Sequence, residues 1–527
     1  MKVILKKEYG IYLIILLLLI PALFINLGML PLITDEPTRG IVTLEMDITH
    51  HWYTPTINGE FYYNKPPLYN WILILFSKIA GIYYSEFILR LPTVLSLMGF
   101  ALTLFLVLRN EIGIKQAFIQ AMILITGGRI LFWDSFQGLI DIFYSWVTFV
   151  QLYLIYYFYK KEQYARLFIL SYFLVAVGYM LKGFPSLVFQ AISLLVWFTA
   201  EKKFKKLLTW QHIFGIFVFL LITGSYYFIY QHYQSIENVF TTLWHESTKK
   251  TGIELGLKKT ITGIFYFPVN MFKHFLPWTI LLIFFIRKNV MEDIKNNSLR
   301  WYSFLIFISN IMVYWLSPDT LPRYLFMLFP FLYIVLLPEY FQHHSWQTKF
   351  INMLIPLLYF ITGIGIFVAY LFLYKQHSIV FLTSSLILSI IFLIAGFLCY
   401  RSSSFKLEFF ILLLISLRIM YNIFIMPTHS KNQFAYKEQA EKVALFSQHN
   451  NLYVYGTTPI NHDATFYITR IRKQLLTRTS SPLPNSQLIC DSTNLNTLSQ
   501  KKYTYRILYP FEINLNNTKL YLIELNP

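Results

Sequence analysis

The chain has 527 residues, of which 56% are hydrophobic and only 13% charged, with 50 Phe and 39 Tyr. That balance excludes a soluble globular protein and indicates a polytopic membrane protein. The formal charge of +18 is dispersed among apolar runs rather than gathered into a stripe, which argues against a nucleic-acid partner and for membrane topology with anionic headgroups.

Apolar runs of spanning length recur from residue 10 onward. The candidate spans are 10–30, 67–82, 91–108, 115–132, 138–158, 165–181, 185–199, 210–230, 273–286, 302–316, 322–338, 350–373, 379–399 and 406–425. Several are shorter than the ~20 residues of a perpendicular crossing, which predicts broken or re-entrant helices among them. The first run is no cleaved signal, since Pro31-Leu32-Ile33-Thr34-Asp35 offers no small-x-small site and further spans follow. Lys2, Lys6 and Lys7 predict a cytoplasmic N-terminus and an external loop after the first span. The basic connections Lys160–Arg166, Glu201–Lys206 and Arg287–Arg300 read as cytoplasmic. Simple alternation conflicts with this list, because five candidate spans precede Lys160 and would put it outside. One of the five is re-entrant or does not cross.

The external loop, residues 31–66, concentrates Asp35, Glu36, Arg39, His50, His51, Asn58 and Lys65 among Trp, Tyr and Phe. Ionisable groups held at a membrane surface mark a site, because their desolvation must be offset by a partner or a ligand. The bland alternative is a solvated loop. Lys65 precedes Pro66-Pro67, which fix the backbone and prevent a helix from starting earlier. It reads as a point charge for a phosphate or as a side chain reaching to the headgroups. Deeper in the chain, Asp134 and Asp141 lie near or within an apolar run, where a carboxylate lines a polar cavity or pairs with a base such as Arg129. Lys182, in Lys182-Gly183-Phe184-Pro185, sits between two short spans, and Arg323 lies in a Pro322-Arg323-Tyr324 turn before an apolar run.

Near residue 427 the composition shifts, and the remaining 100 or so residues read as a small soluble α/β module. Lys437–Ser447 has helical periodicity, 451–456 reads as a strand, Phe466–Thr469 as a strand or a helix start, and Lys502–Leu508 and Lys519–Leu525 alternate like strands. There is no Gly-rich phosphate loop and no HExxH there. Cys399 and Cys490 make neither a disulfide framework nor a metal cluster. No internal repeat is evident, which disfavours an inverted-repeat transporter.

Several motifs then share one pattern: Asp35-Glu36-x-x-Arg39, Glu45-Met46, Trp52-x-x-Pro55, Asn58-Gly59 and Tyr63-Asn64-Lys65-Pro66-Pro67-Leu68-x-x-Trp71. They continue as Arg90-Leu91-Pro92, Asp141, Gly178 to Pro185, Trp244-His245-Glu246, Pro277-Trp278 and Leu321-Pro322-Arg323-Tyr324. Together they resemble the aminoarabinose-transferase branch of the polyprenyl-phosphate-dependent glycosyltransferases, which are GT-C membrane enzymes related to protein O-mannosyltransferases. The last 200 or so residues match that branch only in layout.

The resemblance implies a polytopic α-helical GT-C bundle of about 11–14 transmembrane helices with two interfacial helices in the first loop. Residues 1–426 would form the membrane domain, 31–66 its catalytic loop, and 427–527 an extracytoplasmic α/β domain. It implies sugar transfer from a polyprenyl-phosphate donor to lipid A, a lipid-linked glycan or another envelope acceptor. The setting would be the bacterial inner membrane, with site and C-terminal domain facing the periplasm and the protein monomeric among membrane lipids. An O-mannosyltransferase-like enzyme and a secondary transporter or lipid flippase are the alternatives. Asp35 would be the base, with Glu36 beside it; Lys65, Arg39, Arg90, Lys182, His245 and Arg323 would bind the donor phosphate; Asp141, Tyr63 and Asn64 would face the acceptor. The family associates a glutamate before the loop lysine, and a later histidine, with a divalent metal. Here that glutamate is Asn64, a weak neutral ligand, so no cofactor is required by the sequence, while Zn²⁺, Mg²⁺ or Mn²⁺ on His245 and Glu246 stays open.

Overall fold

In the computed structural model the described residues are 2–248, 256–317, 319–342, 345–373, 379–428, 431–482 and 486–525. The first apolar run forms α1, Lys2–Phe24. After it the chain turns at Asn26 and Thr34, both with positive φ, and enters α2, Glu36–Thr49, with Pro37 in its first turn. Pro is tolerated there because that N–H has no intrahelical partner. A hairpin follows, β1 Thr56–Ile57 against β2 Glu60–Phe61. Its turn residues Asn58 and Gly59 have φ of 55° and 80°, the left-handed values that Asn-Gly adopts at little cost. The Glu45 carboxylate on α2 holds this turn, accepting from the Asn58 and Gly59 N–H groups at 2.6 and 3.2 Å and from Thr56 Oγ1 at 2.7 Å.

Next comes α3, Leu68–Ala80, the run expected to be the second span. Its 13 residues reach only about 20 Å, short of a hydrocarbon core of about 30 Å. Both of its ends belong to α2 and the loop: Trp71 Nε1 donates to the Trp52 carbonyl at 2.8 Å, and Lys78 pairs with Asp47 at 2.9 Å. Five residues later α4, Glu86–Ile112, starts beside the same loop, with Arg90 on Glu36. The run 67–82 is therefore too short here for a crossing and packs along the first loop, and without it four candidate runs precede Lys160, which alternation then returns to the side of the N-terminus.

The bundle continues with α5 Ile114–Thr126 and α6 Gly128–Phe132, bent by 48° between them, α7 Asp141–Lys160, α8 Tyr164–Lys182, α9 Pro185–Ala200, α10 Trp210–Tyr230 and α11 Glu237–Thr248. Helices Leu257–His274, Ser298–Trp315, Phe329–Gln342, Trp346–Leu373, Ile379–Arg401 and Lys406–Met420 complete it. Among the described residues six helices are both long and apolar enough to cross a membrane, seven with the bent pair. These six or seven are the part of the implied 11–14 that has the length and composition of a full crossing. The apolar runs are there, but several fold as helices too short or too polar to qualify, as Leu68–Ala80 and Pro185–Ala200 show. Run 273–286 becomes largely a 3₁₀ segment, Trp278–Ile286.

Beyond the bundle, helix Lys431–Phe446 leads into a five-stranded sheet of order β4-β3-β5-β7-β6, built from β3 Asn451–Tyr455, β4 Thr477–Thr479, β5 Ser486–Cys490, β6 Tyr505–Ile513 and β7 Thr518–Leu525. β4, β3 and β5 run parallel, and β7 and β6 add antiparallel. Phe466–Thr469 lies inside helix His462–Arg472, which connects β3 to β4 and packs on α2.

Candidate active site

One end of the bundle collects the charged groups that the sequence scatters over 290 residues. Asp35 caps α2 without using its side chain on the helix, and its carboxylate is 63% exposed. Arg323, in the Pro322–Leu325 turn, donates from Nη2 to Asp35 Oδ2. Among the described residues Asp35 Oδ1 makes no hydrogen bond. Arg323 Nε lies 3.6 Å from Asp141 Oδ2, and Asp141 Oδ1 accepts from Lys182 Nζ at 2.5 Å. The start of α7 thus meets the end of α8, and an ordered chain runs Asp35–Arg323–Asp141–Lys182. Lys182 also lies over the rings of Tyr144 and Tyr324, at 4.9 and 4.5 Å. Desolvation of these charges is offset by their pairing, as their burial demands.

Lys65 differs from the others. Among the described residues it makes no hydrogen bond or ion pair, yet it is surrounded by Lys182, Glu246, Arg39 and Asp141. Burial, reinforced by the neighbouring Lys182, lowers its pKa to about 8. Arg39 is 6% exposed, donates from Nη2 to the Tyr62 hydroxyl and keeps its Nη1 buried without a partner among the described residues. A buried cation with an open donor and an unpaired lysine together fit an anionic ligand. Tyr63 Oη accepts from Gln234 Nε2 at 2.9 Å, which ties the loop to the end of α10, and Asn64 is partly exposed beside Lys65.

Two of the expected site residues have another task. Glu36 accepts from Arg90 Nε and Nη2 at 2.8 and 2.9 Å, from the Ile33 N–H at 2.8 Å and from the Gly138 N–H at 2.6 Å. Arg90 spends its remaining donors on the carbonyls of Leu27, Leu30 and Pro31, each at 2.9 Å. Both side chains are 1% exposed. All five guanidinium donors are used, so Arg90 has none for a phosphate and Glu36 has no free lone pair facing the site. They form a buried clamp that shapes the loop, which corrects their expected roles in phosphate binding and catalysis.

His245 is exposed on α11, whose Trp244 ring packs edge-on against Phe184 at 6.1 Å. Among the described residues no three His, Cys, Asp or Glu side chains converge as a metal site would need. His245 and Glu246, adjacent on a helix, point about 100° apart and do not chelate one ion together. The residues present do not fit a metal centre. Sequence reasoning missed Tyr62, the partner of Arg39, although it adjoins Tyr63. It also missed the cluster of Glu86 with Lys437, Tyr467 and Arg470, in which Glu86 lies more than 350 positions from the other three and leaves no local signal.

Comparison with known proteins finds similarity in sequence and in fold. A family model described as dolichyl-phosphate-mannose-protein mannosyltransferase matches residues 64–227. An uncharacterized protein of Aquifex aeolicus (strain VF5) is 25% identical over 316 residues, 59% of this chain and 61% of its own. The undecaprenyl phosphate-alpha-4-amino-4-deoxy-L-arabinose arabinosyl transferase 1 of Pseudomonas fluorescens (strain Pf0-1) is 25% identical over 313 residues, 57% of this chain and 53% of its own. The chain thus spans less than two thirds of the length of these relatives. The crystal structure of ArnT from Cupriavidus metallidurans bound to undecaprenyl phosphate superposes with a TM-score of 0.68 at 14% identity, covering 98% of both chains. The chain is a multi-pass membrane protein with the fold of that ArnT structure, similar in sequence to the aminoarabinose transferases and, over residues 64–227, to the protein mannosyltransferases.

Proposed function

We propose that the chain transfers a sugar from a polyprenyl-phosphate donor to lipid A, a lipid-linked glycan or another envelope acceptor at the outer face of the bacterial inner membrane. In this reading residues 1–426 are the catalytic membrane unit, 31–66 its catalytic loop, and 427–527 a periplasmic unit. The observation that carries it is that an exposed carboxylate, Asp35, heads the Arg323–Asp141–Lys182 chain at the same end of the bundle as Lys65, which neighbours Lys182 and Asp141.

The donor phosphate is a good leaving group, so the residues have two tasks. Lys65 and the open Nη1 of Arg39 take the phosphate oxygens and stabilise the charge that collects there as the sugar–oxygen bond breaks. Asp35 Oδ1 takes the proton of the acceptor hydroxyl as that oxygen bonds the anomeric carbon from the opposite face, with inversion. Arg323 grips Asp35 by one oxygen only and shares its charge with Asp141, which leaves the other oxygen for the proton. Polyprenyl phosphate departs. Purified protein given a panel of polyprenyl-phosphate sugars with an envelope glycolipid fraction will consume one donor and release polyprenyl phosphate. Consumption of none of them contradicts the proposal.

A further inference from the structure

We infer that the C-terminal unit positions the catalytic carboxylate, through a brace from Lys437 and Arg470 by way of Glu86 and Tyr467 to the backbone of Leu32. This rests on the transferase reading and adds to it a role for residues far from the reacting atoms.

The brace is built on the first turns of α4. Glu86 and Arg90 are one helical turn apart and share a face. Arg90 grips the loop before α2 through Glu36 and three carbonyls, as described. Glu86, 7% exposed, faces the C-terminal unit and accepts from Lys437 Nζ at 2.6 Å and Arg470 Nη1 at 3.3 Å. Arg470 is held in turn by Glu441 at 2.8 Å. The Tyr467 hydroxyl closes the path, donating to Glu86 Oε1 at 3.2 Å and accepting from the Leu32 N–H at 2.9 Å.

Leu32 is three residues before Asp35, and between them lies Thr34 with φ of 57°. A residue in that conformation persists only where its surroundings over-determine it. Tyr467 supplies one fixed point and Glu36, on the Ile33 N–H, the other. The same helix, His462–Arg472, bears on α2 itself: a Cβ at Gly40 would meet the Phe466 ring at 2.9 Å, so the two helices touch backbone to ring. Asp35 therefore stands on a loop gripped from the membrane side by Arg90 and from the C-terminal side by Tyr467. Only the second grip crosses between the two parts of the chain.

Tyr467→Phe removes the hydroxyl and keeps the ring, and Glu86→Gln keeps the shape and an acceptor. Each variant will show amide exchange across residues 31–40 faster by about tenfold, since a buried N–H loses its partner or the partner loosens. Turnover of the polyprenyl-phosphate donor will fall by about tenfold or more in Tyr467→Phe with donor affinity unchanged, as misplacement of a base affects chemistry before binding. Added to Asp35→Asn, Tyr467→Phe will lower the residual rate no further, which a merely structural weakening would not show. Unchanged exchange in both variants, retained turnover, or an equal loss in both Asp35 backgrounds overturns the brace. A wild-type protein that consumes no donor defeats the transferase reading, while the exchange measurement still decides whether Tyr467 grips the loop.

Discussion

Asp35 and Glu36 are neighbours with the same chemistry and opposite environments. Glu36 is enclosed by four donors and Asp35 is held by one. Breaking a buried ion pair by removing one partner costs about 3–5 kcal/mol, so Glu36→Gln will lower stability by an amount of that order in chemical denaturation. Asp35→Asn, at an exposed carboxylate whose amide still offers Arg323 an acceptor, will move it by about 1 kcal/mol or less. Lys65 gives a pH signature. Its pKa is near 8 in place of 10.5, so it is cationic below pH 8 and neutral above. Donor affinity, measured by titration between pH 7 and 9.5, will weaken as pH rises through that value, by up to about tenfold per unit. Lys65→Ala will bind weakly at every pH in that range and lose the dependence. The sequence singled out both residues, because a charge at a membrane surface is informative by type alone. Residue type alone did not separate Asp35 from Glu36, since the burial of Glu36 depends on Arg90 and Gly138, 54 and 102 positions away.

At the scale of elements, the loop 31–66 is a helix and hairpin braced by sheet. Gly59 has φ of 80°, and a Cβ there would lie 2.6 Å from Thr477 Cγ2 on β4. Gly59→Ala will therefore destabilise by about 1–3 kcal/mol, and adding Thr477→Ser will recover the steric part and leave the backbone strain. Asp463, in the first turn of helix His462–Arg472, has its pKa pushed up to about 6 by burial, with Glu36 adding to the rise. Its folded-state pKa exceeds the ordinary 3.8, so ionisation opposes folding as pH rises from 4 through 6. Asp463→Asn removes that penalty. Thermal unfolding will show the variant gaining on wild type above pH 6 and level with it at pH 4. The Asn-Gly turn was legible in the sequence as a motif, whereas its function as a contact with β4 was not, because strand Thr477–Thr479 is only 3 residues long. Length also explains α3: hydropathy marks an apolar run, and only its partners Trp52 and Asp47 show that it lies along the interface.

Taken as a whole, the molecule resolves the alternation problem left by its hydropathy. With α3 removed from the crossings, Asp35, Lys65, Asp141, Lys182 and Arg323 share one end of the bundle with the C-terminal unit. The positions of the apolar runs were readable because composition alone sets them, and the motif residues because their types are costly in a membrane. The Glu86 cluster was unreadable because its charges look like ordinary surface residues until the chain brings them together. The central claim is that Asp35 is the base in sugar transfer, and turnover with donor binding in Asp35→Asn tests it most directly. With the donor that wild-type protein consumes, loss of a general base predicts a turnover about 10²–10⁴-fold lower at nearly unchanged donor affinity. An Asp35→Asn protein that keeps more than about a tenth of wild-type turnover would contradict the account.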